Sequence, residues 1–360
     1  MVSLSTVHAH NASLKSLGPG LVAVFVGGTS GISLSTALAL ARHTVSPKIY
    51  LIGRSAPAAQ SAINTIKTLN PSATTTFLQS DISLLRNVDS VCEKITKNEK
   101  HVNILFMTPG HMTLRGRDES AEGLDKKLVL HYYARMRFVQ NLQALLTSAS
   151  ASAAATNSSA GGEERPKPNL SRVISVLDPA VAVRGSLFGL GSAILDYDDL
   201  SLKRGFSVAK CGHHASLMNN FFLEAMAQVH TGTSFIHAYP SGVDTGILRN
   251  IPGGKVSRGL VRVVLRPFMV PLDESGERFL FAATNTRYPA AAASGGSDGE
   301  VAVGSDGRAG SGCYWVSWDG EVFPQYGSIG RKREEGAVDR VVGHTQEVFR
   351  RVCEEDLTYP

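Results

Sequence analysis

Short runs of apolar and β-branched residues recur along the chain, at Leu21–Val26 (LVAVFV), Lys48–Ile52 (KIYLI), Thr75–Gln79, Asn103–Met107 (NILFM), Arg172–Leu177 (RVISVL) and Thr233–Ala238 (TSFIHA). Between them lie segments of helical composition: Gly31–Arg42, Ala58–Leu69, Leu84–Lys97, Glu122–Leu146 and Phe206–His230. In the third of these, Leu85, Val88 and Val91 fall at helical spacing. Strands that are apolar at successive positions, rather than alternating, are covered on both faces. Strands alternating with helices are parallel and joined by right-handed crossovers. The pattern therefore predicts an α/β fold built on a doubly wound parallel sheet. Ligands of such sheets bind beyond the carboxyl ends of the strands, so the residues just after each strand carry the functional reading. Tyr314–Ser317 reads as a late edge strand and Val338–Val352 as a terminal helix.

Composition then sets the boundaries. Residues 147–168 and 290–312 are rich in Ala, Ser and Gly and lack large apolar side chains, so they read as flexible insertions that cannot repay the entropy of ordering. The first of them joins a helix to a strand and so lies at the edge away from the ligand. The expected layout is a tail over 1–20, one domain over 21–289, and a strand and helix over 313–360 packed on the same domain. The chain carries 36 Lys and Arg against 31 Asp and Glu, a dispersed excess of +5 that gives no nucleic-acid groove. The four cysteines have neither metal-site nor disulfide-framework spacing, so reduced thiols in the cytoplasm are the expectation. No window is long enough for a stable membrane span, and Leu21–Val26 is too short for a signal peptide.

The first predicted strand runs into Gly27-Gly28-Thr29-Ser30-Gly31-Ile32-Ser33, which opens a helix. Glycines here allow a tight turn and bring backbone N–H groups against a pyrophosphate at the helix N-terminus. The competing reading is a plain glycine-rich turn, which the place between first strand and first helix disfavours. Arg54 follows the second strand, where an arginine accommodates the 2′-phosphate of NADP and an acidic residue would accept from the ribose of NAD. An exposed surface arginine is the alternative. Asp81, after the third strand, is placed to accept from the adenine amino group or to cap the next helix.

These spaced features resemble the short-chain dehydrogenase/reductase family over roughly residues 20–285, with retinol dehydrogenases and fungal secondary-metabolite reductases the most similar branches. The family's TGxxxGxG motif matches at Gly27 and Gly31, with Val26 in place of its Thr and Ser33 in place of its last Gly. Pro240-Ser241-Gly242-Val243-Asp244-Thr245 is similar to the segment that lies along the nicotinamide. The resemblance implies a Rossmann-like fold, an NADP cofactor held by Gly27, Thr29, Ser30, Gly31, Ile32, Arg54, Asp81, Lys210, Val243 and Thr245, and a homodimer by family habit. It breaks at the reacting groups. The family's YxxxK becomes Phe206-Ser207-Val208-Ala209-Lys210, its Ser falls at Asp178 (Leu177 if the register slips by one), its helix-borne Asn aligns best with His131, and its NNAG becomes Met107-Thr108-Pro109-Gly110.

In that motif residues i and i+4 share a helix face, so the ammonium lowers the phenol pKa and holds the ribose. Phe206 has no proton to give, whereas Lys210 keeps the second role. Candidate catalytic residues are therefore Lys210, Asp178 and His131. Tyr132, Tyr133 and Tyr197 offer phenols, the first two more suited to packing, and His213 and His214 read as buried histidines. The segment 246–271 mixes Leu and Val with arginines and suits an apolar substrate lid or a membrane-surface segment; the resemblance, which carries a substrate loop here, implies the lid. The expected function is an NADP-dependent oxidoreductase acting on a bulky hydrophobic small molecule in secondary metabolism. A non-redox acid/base enzyme (cyclase, isomerase or dehydratase) and an inactive scaffold are the alternatives on the same fold.

Overall fold

The computed structural model describes residues 1–110, 113, 115–156, 170–180, 195–243, 269–293, 301–324 and 327–360, excluding the side chains of 151–156 and 327–328. Seven parallel strands form one sheet in the order β3-β2-β1-β4-β5-β6-β7. They are β1 (Val22–Val26), β2 (Lys48–Gly53), β3 (Thr74–Gln79), β4 (Ile104–Met107), β5 (Arg172–Val176), β6 (Ser234–Ala238) and β7 (Cys313–Val316). In β1, Val22, Val24 and Val26 enter one core while Ala23 and Phe25 enter the other. Both faces are covered, which is why the strand is apolar at every position.

One face is covered by α4 (Leu85–Asn98), by α5 (Lys126–Leu128) running through a π turn (Val129–Tyr133) into α6 (Ala134–Thr156), and by α7 (Val208–Val229). The other is covered by α2 (Gly31–His43), α3 (Ala56–Leu69) and α8 (Leu272–Thr284). Gly276 lets α8 lie directly on α2, since a Cβ there would come within 2.7 Å of the Ser35 backbone. α9 (Gly327–Glu334) and α10 (Ala337–Phe349) follow β7, and α10 seals α7 with Val341, Val348 and Phe349 fully buried. Among the described residues no helix is long and apolar enough to cross a membrane.

The structure departs from the sequence expectation where distant contacts order a bland segment. The tail contains α1 (Leu4–Ser13), which buries Val7 and Asn11. Asn11 Nδ2 donates to Glu277 Oε2 (2.7 Å), and Arg42 pairs with the other oxygen (2.8 Å). Helix α6 continues through the first ten residues of the 147–168 segment, the rest of which lies outside the described residues. Within 290–312, the stretch 301–312 folds back on itself through a Val303–Ala309 bridge, with Ala302 and Ser305 buried. Arg333 pairs with Glu224 (2.6 Å) and lies 5.4 Å above the Trp315 ring.

Two histidines hold these additions in place. His10 of α1 bonds Thr284 Oγ1 (2.9 Å) through Nε2 and accepts at Nδ1 from Asn285 (3.1 Å). His344 of α10 accepts from the Tyr133 hydroxyl (2.7 Å). Burial, with nearby Arg172 for His10 and nearby His214 for His344, pushes both down to about 4. The unfolded chain, with ordinary values near 6.5, takes up protons that the folded chain refuses. The histidine contribution is therefore complete above pH 6.5 and is lost as the pH falls toward 4. The urea midpoint should drop across that window, and His10→Gln should flatten the drop; equal slopes for the two proteins would contradict the assignment.

Candidate functional site

At the carboxyl end of β1 the chain turns on Gly27 (φ +81°) and enters α2 at Gly31 (φ +61°). Both are left-handed conformations that glycine adopts without strain. The N–H groups of Gly27 and Gly28 donate to the Ile52 carbonyl (3.0 and 3.1 Å), which folds the turn against β2. A Cβ at Gly28 would lie 2.8 Å from the Phe25 carbonyl, and one at Gly53 would lie 2.9 Å from Thr29 Oγ1. Ser30 precedes α2 without a side-chain cap, so the first-turn amides remain available to an anion. Ile32 is half-buried behind them. Ser33, where the family motif has its last glycine, is fully buried and its hydroxyl has no partner. The turn thus retains the close backbone approach that a dinucleotide pyrophosphate requires.

Arg54 follows β2 directly, its carbonyl held by Gln79 Nε2 (2.9 Å). It lines a cleft of about 510 Å³ with Gln79, Ser80 and Asp81, faced by α4 residues from Asn87 to Lys94. Asp81 Oδ1 accepts from Ser83 N (3.1 Å), and Asn87 Nδ2 donates to the Asp81 carbonyl (2.9 Å). The helix-cap role considered for Asp81 belongs instead to Glu122, whose carboxylate accepts from Leu85 N (2.6 Å) and Arg86 N (3.1 Å). An acidic group at a helix N-terminus satisfies orphan amides and meets the positive end of the dipole. Glu122 is 37 residues from Leu85, so no local sequence signal identifies it.

Beneath the site lies a cation that sequence reasoning passed over. Arg135 of α6 is fully buried and no carboxylate among the described residues pairs with it. Its Nη1 donates to Ser175 Oγ and to the Val176 carbonyl (both 2.8 Å), its Nη2 to the Pro109 carbonyl (2.6 Å) and its Nε to the Leu130 carbonyl (3.2 Å). Ser175 Oγ donates to Asn219 Oδ1 (2.8 Å), and Asn219 Nδ2 donates to the His131 carbonyl (2.9 Å). Beside it, Asn220 Nδ2 donates to the Pro179 carbonyl (3.0 Å) and Asn220 Oδ1 accepts from His237 Nδ1 (2.5 Å). One polar layer ties the ends of β4, β5 and β6 to α7. Burial pushes the guanidinium down to about 9 and, with Arg135 alongside, holds His237 well below its usual value.

The three candidate catalytic residues fall in different settings. Asp178, two positions beyond β5, accepts from Ala180 N through Oδ1 (2.9 Å). His131 sits in the π turn, with its ring against the turn after β4: a Cβ on Gly110 would be 3.0 Å from His131 Nε2. Lys210 departs from the helical-pair expectation. α7 starts at Val208 with Ser207 as its cap, because Ser207 Oγ accepts from Lys210 N (3.1 Å). Phe206 therefore lies before the helix and does not share a helical face with Lys210. A Cβ on Gly205 would lie 3.2 Å from Lys210 Nζ, so the exposed ammonium sits beside the 196–205 loop without an ion pair among the described residues.

Phe206 is itself covered. Lys127 Nζ lies 4.8 Å from its ring centroid while bonding Asp125 (3.1 Å) and the Gly116 carbonyl (2.7 Å). The remaining polar candidates pack. Tyr132 bonds Thr345 Oγ1 (2.5 Å), and His214 receives Asp196 N (3.1 Å) and bonds the Leu200 carbonyl (3.2 Å). His213 is buried with Nε2 unpartnered, as is the Tyr197 hydroxyl. Ser241 takes φ +62°, the conformation a glycine adopts freely at that place. Val243 bridges Val270, so the two stems of the expected lid are joined. Thr245 and the lid residues 246–268 lie outside the described residues.

A family model described as short chain dehydrogenase matches residues 21–168. The chain is 39% identical to oxidoreductase AN1596 of Emericella nidulans over 97% of this chain and 98% of that protein. It is 33% identical to oxidoreductase andH of Emericella variicolor over 89% of this chain and 88% of the other. Among solved structures, NADPH-bound carbonyl reductase from chicken fatty liver aligns with a TM-score of 0.53 at 15% identity, covering 85% of this chain and 98% of its own. L-sorbose reductase from Gluconobacter frateurii, complexed with NADPH and L-sorbose, aligns at 0.51 and 18% identity, covering 75% and 92%. At such identities the structural likeness speaks for the fold.

Replacing Arg135 by Met strips hydrogen bonds from three carbonyls and from Ser175 at once. The expected loss is on the order of 3 kcal/mol of unfolding free energy, read from urea titration. A loss below about 0.5 kcal/mol would show that the layer is not a structural determinant.

Proposed function

The chain belongs to the short-chain dehydrogenase/reductase family and is an oxidoreductase; from that premise we propose that it is NADP-dependent and acts on a bulky hydrophobic small molecule of specialised metabolism without a phenolic proton donor. The observation that carries the cofactor choice is Arg54, exposed at the end of β2 and facing the cleft, where an NAD-selective site would offer a carboxylate. The glycine turn and the uncapped first turn of α2 support the pyrophosphate position. NADPH, when bound, supplies the hydride.

The chain's own residues divide the remaining work. The amides of Thr29 to Ile32 and the turn at Gly27 receive the pyrophosphate, and Arg54 holds the 2′-phosphate. Asp81 stands ready for the adenine amino group, while Val243 borders the nicotinamide. Phe206 shapes the pocket wall and transfers no proton. Asp178, beyond β5, and His131, whose ring meets the turn after β4, are the groups left to hold or move a proton near the substrate. Such a set suits an acceptor that takes hydride before protonation at carbon, as in conjugate reduction of an enone, or one already cationic, such as an iminium. The apolar residues of 246–271 support the bulky substrate.

Calorimetric titration tests the cofactor choice. The protein should bind NADPH more tightly than NADH, and Arg54→Ala should weaken NADPH roughly tenfold or more with little change for NADH. Equal affinity for both cofactors in the unmodified protein would overturn it. Phe206→Tyr tests the proton reading: the new hydroxyl should leave ketone reduction at background, because residue 206 lies ahead of α7 under Lys127 rather than one turn above Lys210. A large gain in NADPH oxidation with ketones would refute that reading.

A further inference from the structure

The cleft beside Arg54 has a second cationic wall. Asn87, Val91 and Lys94 stand at i, i+4 and i+7 on α4, one face of that helix, and all three line the cleft with Ser90. Arg54 and Lys94 are its two cations, and Asp81 is its one carboxylate. Neither cationic side chain makes a hydrogen bond or ion pair among the described residues, and both are exposed. Asp81, by contrast, already uses one carboxylate oxygen on the Ser83 amide. Building on the cofactor reading above, we propose that Lys94 is the second cation of the 2′-phosphate clamp, closing on the phosphate from α4 while Arg54 holds it from β2.

The charge arithmetic favours a dianionic guest. With no phosphate, the cleft keeps two unpaired cations against one carboxylate; a phosphate monoester of nearly two negative charges compensates both. Arginine supplies a planar fork and lysine a compact point charge, a pairing that contacts different oxygens of one tetrahedral group. A lysine side chain on a helix leans back toward the N-terminus, so Lys94 reaches along α4 toward Asp81 and Arg54. The walls are also pre-set. Gln79 fixes the Arg54 backbone, Asn87 fixes that of Asp81, and Glu122 anchors the first turn of α4. The phosphate therefore meets positions held in advance, and only the two long side chains lose freedom on binding.

Calorimetry with adenosine 2′,5′-bisphosphate and 5′-AMP as probes, alongside NADPH and NADH, tests this on the full chain. Lys94→Ala should weaken adenosine 2′,5′-bisphosphate and NADPH about tenfold and leave 5′-AMP and NADH unchanged. Lys94→Arg should restore most of the loss, which a change in folding would not allow. In addition, the salt dependence of NADPH binding should flatten in Lys94→Ala as one screened contact disappears. If Arg54→Ala weakens NADPH but Lys94→Ala does not, Lys94 is a solvated wall residue: the inference fails and the cofactor reading stands. If the unmodified protein does not distinguish adenosine 2′,5′-bisphosphate from 5′-AMP, the cofactor reading fails and carries the inference with it.

Discussion

A buried guanidinium with carbonyls in place of a carboxylate is an expensive way to join two strands, and the carboxyl edge of this sheet depends on one. Arg135 reaches from α6 to the Pro109 carbonyl after β4 and to Ser175 and Val176 of β5. Desolvation opposes the charge, so each of those acceptors has to be present and correctly aimed for the arrangement to hold. The same layer passes through Ser175 to Asn219 of α7 and to the backbone of His131. The spacing between the turn after β4, the end of β5 and the start of the substrate face is therefore set from below. Candidate groups such as Asp178 and His131 stand on that platform.

The residues expected to organise proton transfer fall in separate settings. Phe206, expected at the place of the family's tyrosine, lies ahead of α7. Ser207 caps α7 and places residue 206 outside the helix, while Lys127 Nζ lies 4.8 Å from the centroid of its ring. Lys210 in turn is exposed on the first turn of α7. The dinucleotide end is different in character. Its turn glycines, Arg54 and the cleft against α4 keep the features that binding requires.

Segments outside the sheet act as fasteners. α1 is drawn onto α8 through Asn11, Glu277 and His10. α10 is held to the π turn by His344 and Thr345, which receive the hydroxyls of Tyr133 and Tyr132. That π turn carries His131, so the C-terminal helix braces a candidate site residue from behind. A π turn is itself a local departure from helical bonding that persists when surrounding contacts over-determine it.

The strands were legible in the sequence to within a residue at each end, because a strand buried on both faces must be apolar throughout and a strand-to-helix turn must carry glycine. The dinucleotide turn, Arg54 and Asp81 were legible for the same reason: each follows directly from its position after a strand. Tertiary structure alone decided the rest. Glu122 caps α4 from 37 positions away, Lys94 faces Arg54 across a cleft, Lys127 covers Phe206, and Arg135 joins β4 to β5. The polar, alanine-rich ends of the chain gave no local signal of order, yet α1 and 301–312 are held by partners far away in sequence. Periodicity and turn chemistry are local properties that a sequence writes openly. The pairing of a buried charge with its acceptors exists only after the chain has folded and brought them together.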